Sequence, residues 1–313
     1  MKYFQNNQWA LILGGSSGFG LATAKKLSSS GMSVFVVHRD RKGAMQRINE
    51  QFDLIKQNGN PFVSMNEDAL SAEGQTSVIN ALAKNMKMNN GSLRALMHSI
   101  AYGNLKPIAP LAINSLKSSP IAALAKRLNL DVTQLEKEIN EVFSENESEF
   151  YPLIKSQYGE ALIEDEDMAN TIYSMGTSML TWTQKIFQNK LFAKDARILG
   201  MTSEGNTVAW RGYAAVSCAK VALEAVSRAI AVEFAPYGIR SNIIQAGVTD
   251  TPALRLIPGS ARMKASAELR NPFHRLTTPE DVAGVVATLC MDESAWINGS
   301  VIRVDGGEHI SAL

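Results

Sequence analysis

Along the chain, short runs dense in apolar and β-branched residues alternate with segments whose apolar positions recur every three or four residues. The first run, Trp9-Ala-Leu-Ile-Leu13, enters a glycine cluster and then an amphipathic segment from Leu21 to Leu27. Similar runs at Ser33–Val37, Pro61–Met65, Leu93–Met97, Ala196–Gly200, Ile239–Ile244 and Ser300–Val304 predict six further strands. Short continuous apolar runs separated by helical patterns imply a parallel sheet buried on both faces.

Between about 104 and 165 this rhythm breaks into several short helical patterns. Asp131-Val-Thr-Gln134 makes a capping-box start, followed by Leu135, Ile139, Val142 and Phe143 at helical spacing. From Asp131 to Asp167 there are twelve acidic residues against two basic ones, Lys137 and Lys155. Ile121 to Leu130 with the capped segment after it resembles a helix-turn-helix. Glu136, Glu138 and Glu141 stand on its second helix, where a DNA reader needs cations facing phosphates, so packing is the expected role.

Composition narrows the function classes. The chain has 313 residues and a formal net charge of +1, which argues against a surface devoted to nucleic acid or anionic lipid. No run of about eighteen apolar residues predicts a transmembrane helix. Gln and Asn interrupt the amino-terminal stretch where a secretory signal needs unbroken apolar residues. The two cysteines, Cys218 and Cys290, suit neither a metal site nor a disulfide framework. A cytoplasmic protein without a metal is expected, its 313 residues forming a single domain with the 104–165 insertion inside it.

The first strand–helix junction reads Gly14-Gly-Ser16-Ser17-Gly18-Phe19-Gly20. Gly14 permits the sharp turn, Gly18 lets backbone approach a pyrophosphate, and Gly20 allows close helix–strand packing. The helix amino terminus supplies free N–H groups and positive dipole. At this place in an alternating chain the motif predicts a Rossmann-type, doubly wound dinucleotide site. The second strand ends in Val37-His38-Arg39-Asp40-Arg41. His38 holds the place where an acid would take the ribose of NAD, and the guanidinium of Arg39 favours the 2′-phosphate of NADPH. NADH remains the alternative, because Asp40 could reach a ribose.

Tyr213 and Lys220 open a long helical pattern, seven residues apart and so on one face, roughly 10 Å apart along the axis. A tyrosine becomes a useful acid when a nearby cation lowers its pKa. From spacing alone the favoured reading is a buried Tyr and a surface Lys on an amphipathic helix.

The glycine loop, the Tyr–Lys segment, Arg240-Ser-Asn242, Ala246-Gly247-Val248-x2-Thr251 and Val304-Asp305-Gly306-Gly307 together resemble the short-chain dehydrogenase/reductase superfamily. The resemblance covers 9–103 and about 165–310. Most relatives place tyrosine four residues before lysine, where this chain has Val216. Tyrosine seven before lysine is similar to the enoyl-[acyl-carrier-protein] reductase branch. So are His98-Ser99-Ile100-Ala101 after the fourth strand and Ala246-Gly247 in place of Pro-Gly.

A chemical reason underlies that displacement. A ketone reductase protonates oxygen on the carbon that receives hydride. An enoyl thioester receives hydride at its β-carbon while charge develops on a carbonyl oxygen two carbons away, so the stabilising hydroxyl must sit farther from the nicotinamide.

The resemblance implies that Tyr213 bonds the thioester oxygen, and that Lys220 holds the nicotinamide ribose and biases Tyr213. Thr251 and Val248, beside Gly247, would contact the pyrophosphate and carboxamide side, Asp68 the adenine amino group, and Ser99 to Ala101 the adenosine. Ser203 stands where many enoyl reductases carry a second tyrosine and where ordinary relatives carry their serine. It is a candidate second oxygen ligand. Tyr173 or Ser174 lies near the place of the relatives' helical asparagine.

The expected function is NADPH-dependent reduction of an enoyl-acyl-carrier-protein or enoyl-CoA thioester in fatty acid biosynthesis. A 3-ketoacyl or other carbonyl reductase is the alternative within the superfamily, and a non-catalytic NADP-binding regulator the alternative outside catalysis. Arg255, Arg262, Lys264, Arg270, His274 and Arg275 face only Glu268 in sequence, which suits an acidic acyl carrier protein. The resemblance further implies a homo-oligomer, tetramer or dimer, through the Met179–Phe187 and Tyr213–Phe234 segments. The insertion is expected to wall or cover the acyl pocket.

Overall fold

The structure is a computed structural model describing residues 2–111, 120–145, 148–154 and 158–312. Seven strands form one parallel sheet: β1 (Gln8–Leu13), β2 (Ser33–His38), β3 (Phe62–Asn66), β4 (Ser92–His98), β5 (Phe192–Thr202), β6 (Ile239–Ala246) and β7 (Val301–Val304). Their spatial order is β3-β2-β1-β4-β5-β6-β7, so winding reverses between β1 and β4. In an open α/β sheet that switch point opens the ligand crevice beyond the strands' carboxyl ends.

The β-branched runs are continuous because both faces of the sheet are buried, and side-chain alternation divides them. Ala10, Ile12, Val34 and Val36 face one core with α1 (Gly18–Ser29), α2 (Met45–Lys56) and α10 (Pro279–Leu289). Trp9, Leu11, Leu13 and Phe35 face the other with α3 (Ala72–Met88), α7 (Ser178–Gln188) and α8 (Ala214–Glu233).

The insertion holds α4 (Pro120–Leu128), α5 (Val132–Ser144) and a 3₁₀ turn at Ser148–Leu153. Asp131 caps α5 through the N–H groups of Thr133 and Gln134. Packing of α4 on α5 buries Ile121, Ala125 and Ile139, so the helix-turn-helix pattern serves a hydrophobic contact. The 3₁₀ turn packs on α9 (Ser260–Arg270). At the insertion's base, Asp167, in α6 (Asp165–Ile172), accepts from Asn104 Nδ2 at 2.7 Å and pairs with Lys106 Nζ at 2.6 Å. Beside it Ile163 donates its N–H to Pro107 O.

Two sequence motifs prove architectural. Asn242 bridges Ile297 O and the N–H of Ser300, tying β6 to the segment before β7. Arg240 joins Arg94 and Arg197 around Asp195 at the end of the sheet remote from the crevice. Among the described residues, no helix is long and apolar enough to cross a membrane.

Candidate active site

The glycine loop closes on the switch point. Gly14 has φ +83°, and a Cβ there would lie 2.5 Å from Ser99 O, so the β1 and β4 turns touch through backbone alone. A Cβ on Gly20 would meet Gly14 O at 2.2 Å, which holds the amino terminus of α1 over β1. Ser17 is the N-cap, extended at φ −156°, and its side chain makes no capping bond. The first-turn amides of α1 therefore remain available, as the dipole and orphan N–H groups of a phosphate site require. This cradle fits a dinucleotide.

An open cleft lies beside it, lined by Phe19, Ser99, Ile100, Ala101, Gly247, Val248 and Thr251 at the expected cofactor end. Thr251 Cγ2 would lie 3.3 Å from a Cβ on Gly18, and its Oγ1 also accepts the N–H of Leu254, so it both faces the loop and caps the next turn. Towards the other end the walls are apolar: Leu105, Met175, Trp210, Val216, Ile257 and Met263.

Tyr213 is the N-cap of α8, and Lys220 lies two turns along it; both line the cleft. Lys220 is buried, and Nζ donates to Met201 O at 2.9 Å. Burial pushes its amine down to about 8, with Glu224 opposing. Desolvation pushes the Tyr213 phenol up, the Ser203 hydroxyl opposes, and Glu204 adds to the rise. The expectation that Lys220 lowers the phenol is thus corrected. The amine's hydrogen bond goes to Met201 O, and the tyrosine keeps its proton.

Ser203, just beyond β5, lies beside Tyr213. Its Oγ is buried and has no partner of hydrogen-bond geometry among the described residues. An orphaned buried hydroxyl is costly and points to a ligand.

Behind Lys220, α6 passes into a π turn at Tyr173–Thr177 before α7. Gly176 there lies so close to α8 that a Cβ would come 2.7 Å from Ala219 O. Tyr173 OH bonds Leu70 O, and Ser174 Oγ bonds Tyr102 O and Thr171 O, so both brace loops. His98 donates or accepts with Ser178 Oγ at 2.7 Å, and burial, with the Lys220 charge, pushes its imidazole down to about 3.

At the adenosine end two expectations change. His38 is buried, its Nδ1 2.9 Å from Asp40 Oδ2 and its ring edge-on to Phe52, so its side chain does not face the cleft. Asp68 already accepts the N–H of Leu70 at 2.9 Å and Arg39 Nη1 at 2.8 Å. Arg39 also lies over the Tyr102 ring, 4.6 Å from its centroid. Arg39 is exposed, but in an ion pair with Asp68 that the sequence does not show.

The basic loop is likewise less free than its sequence suggests. Arg255 and Lys264 face Asp250, Arg275 pairs with Asp281, and Arg270 pairs with Glu204 and Glu308. These partners lie outside the segment or are not adjacent to the cations, so composition could not show them. Leu105, Trp210 and Arg211 were also missed by sequence reasoning. Arg211 donates to Ala109 O and lies over Tyr158, which fastens the insertion beside Tyr213.

A family model described as enoyl-(acyl carrier protein) reductase matches residues 152–309, half of the chain, and one described as short chain dehydrogenase matches residues 8–119. The chain belongs to the short-chain dehydrogenase/reductase superfamily. The 1-cyclohexenylcarbonyl-CoA reductase of Streptomyces collinus is 35% identical over 39% of this chain and 45% of its own. The NADH-dependent enoyl-[acyl-carrier-protein] reductase FabI of Escherichia coli is 42% identical over 32% of this chain and 38% of its own. The matched segments thus span less than half the length of either relative. The solved enoyl-[acyl-carrier-protein] reductase (NADH) of Aquifex aeolicus shares the fold, with TM-score 0.69 at 21% identity over 98% of both chains.

Proposed function

We propose that the protein reduces the C2–C3 double bond of an acyl thioester with NADPH. One observation carries the reading. Four residues before Lys220, where a carbonyl reductase of this superfamily holds its hydroxyl, the cleft wall presents the isopropyl group of Val216, and the phenol stands instead at the N-cap of α8. That placement suits charge developing on a thioester oxygen two carbons from the hydride acceptor. The apolar walls at Leu105, Trp210, Ile257 and Met263 suit an acyl chain.

When bound, the nicotinamide cofactor supplies the hydride. The chain's own groups bind, orient and stabilise the developing charge, while C2 takes its proton from solvent. The raised pKa keeps Tyr213 protonated, so its O–H donates to the thioester oxygen and strengthens as charge grows there. Ser203 Oγ, beside the phenol, offers a second donor, with no partner of hydrogen-bond geometry among the described residues. Lys220 holds a ribose hydroxyl, its orientation set by Met201 O. The glycine loop and α1 amides take the pyrophosphate. Arg39 supports NADPH over NADH, since one oxygen of the nearby Asp40 carboxylate is engaged by His38.

Ser203 also favours a second reading, reduction of a 3-ketoacyl thioester, because an unpaired hydroxyl beside a tyrosine is what a carbonyl oxygen would accept. NADPH oxidation with crotonyl and acetoacetyl thioesters, each on carrier protein and CoA, separates the two. Faster turnover of crotonyl substrate supports the enoyl reading; preference for acetoacetyl overturns it. Within the enoyl reading the carrier is an acidic acyl carrier protein and the enzyme a homo-oligomer. Arg262 carries the docking proposal, having no ion partner among the described residues. Reversing its charge should raise KM for the carrier-protein substrate and leave the CoA substrate unchanged.

A further inference from the structure

Three turns distant in sequence meet at one guanidinium. Arg270, the last residue of α9, places Nη2 2.8 Å from Glu204 Oε2 and 3.0 Å from Glu308 Oε1. The other oxygen of Glu308 accepts the backbone N–H of Val248 at 3.1 Å. Glu308 is 2% exposed, and Asp305 fixes its turn by accepting the N–H groups of Gly307 and His309.

A carboxylate in this place is expensive. Burial pushes the Glu308 carboxyl up, while Arg270 and the Val248 N–H act against that rise. Arg270 Nε is itself buried without a partner among the described residues. An apolar residue would fold here at less cost, which makes the retained charges informative.

Glu204, Gly247 and Val248 line the cleft, whereas Arg270 and Glu308 do not. Behind Gly247 there is no slack: a Cβ would come 2.4 Å from Thr277 Oγ1 and 2.8 Å from Glu308 Oε2. The Gly247–Val248 turn therefore has the cleft on one side and the carboxylate on the other. Through Arg270 the same carboxylate is tied to the turn that carries Ser203 and Glu204.

We propose that Glu308 and Arg270 are positioning residues that lock the Gly247–Val248 turn against the Ser203–Glu204 turn and so set the nicotinamide end of the cofactor site. The proposal rests on the dinucleotide reading of the cleft. It assigns the two residues no contact with the cofactor, and it separates the nicotinamide end from the glycine loop, which they do not touch.

Binding to the full chain tests it without turnover. Calorimetry compares NADPH with 2′-phospho-ADP-ribose, which lacks the nicotinamide ring. Glu308→Ala should weaken NADPH about tenfold while changing the fragment by less than about twofold. Glu308→Gln keeps an acceptor for the Val248 N–H and should stay within about threefold of the parent for NADPH. Arg270→Met should resemble Glu308→Ala, and Arg270→Lys should recover part of the loss. Equal weakening of both ligands would show a general structural role and overturn the proposal, as would unchanged NADPH binding in Glu308→Ala. If the parent protein binds neither these ligands nor NADH and ADP-ribose, the dinucleotide reading itself falls, an outcome distinct from a parent that binds both members of a pair.

Discussion

Ser203 shows how a single atom can separate stability from function. Its Oγ is buried with no partner of hydrogen-bond geometry among the described residues, so Ser203→Ala should leave stability unchanged or raise it by up to about 1 kcal/mol, read from urea unfolding. The same change should lower kcat, on the order of tenfold, if the hydroxyl donates to substrate oxygen. Tyr213→Phe should cost more, on the order of a hundredfold in kcat, with little change in Tm. Lys220 and His98 predict the pH dependence. Both pKa values are lower folded than unfolded, so over the window between the two values the unfolded chain binds more protons and stability rises with pH. For His98 that window runs from about 3 to 6.5, and for Lys220 from about 8 to 10.5. Lys220→Met should abolish the upper rise and stabilise the ligand-free protein at neutral pH by on the order of 2–3 kcal/mol, while weakening cofactor binding. Stability curves at pH 7 and 10 check the sign.

At the scale of elements, packing distances decide. The π turn and Gly176 let α7 approach α8 where Lys220 must reach the cleft. Gly176→Ala should push the helices apart, costing roughly 1–3 kcal/mol and raising KM for the cofactor, since no flexible side chain stands opposite to yield. The amino-terminal edge of the sheet depends on Asp195, whose carboxyl is held below the usual carboxylate range, against desolvation, by Arg197 and Arg94. Arg94 and Arg197 are buried, though each also bonds backbone carbonyls. Asp195→Asn should therefore destabilise by about 2–4 kcal/mol without altering cofactor affinity, because the cluster lies at the opposite end of the strands from the glycine loop. Denaturant midpoints beside calorimetric NADPH binding make that comparison. The strand pattern was legible here. Its bounds shifted by a few residues, most at β5, which begins at Phe192 because that residue pairs with Leu93 across an irregular register. Apolar periodicity cannot show such pairing.

For the whole molecule, the insertion is the main departure from a plain doubly wound sheet. It is clamped at Asp167, fastened at Arg211 and seated on α9, which contributes Met263 to the cleft. Replacing 110–160 with a short linker should free α9, seen as faster amide exchange over Ser260–Arg270, and should change acyl chain-length preference. Unchanged values of both would remove the insertion from the substrate site. The near-neutral charge of the chain took on meaning only in three dimensions. Cations from one loop meet Asp250, Asp281, Glu204 and Glu308. What the sequence determined by itself was the parallel α/β architecture and the glycine loop, while the Tyr213–Lys220 pair drew its meaning from the family resemblance. Periodicity, turn chemistry and short spacing are local properties, carried by residues close together in the chain. The tertiary structure alone decided that His38 turns into the core, that Asp68 holds Arg39, that Ser203 Oγ finds no hydrogen-bond partner among the described residues, and that Arg270 joins Glu204 to Glu308. Each of those facts depends on which distant groups burial brings within about 3 Å, and hydrogen bonds and ion pairs act only at that range.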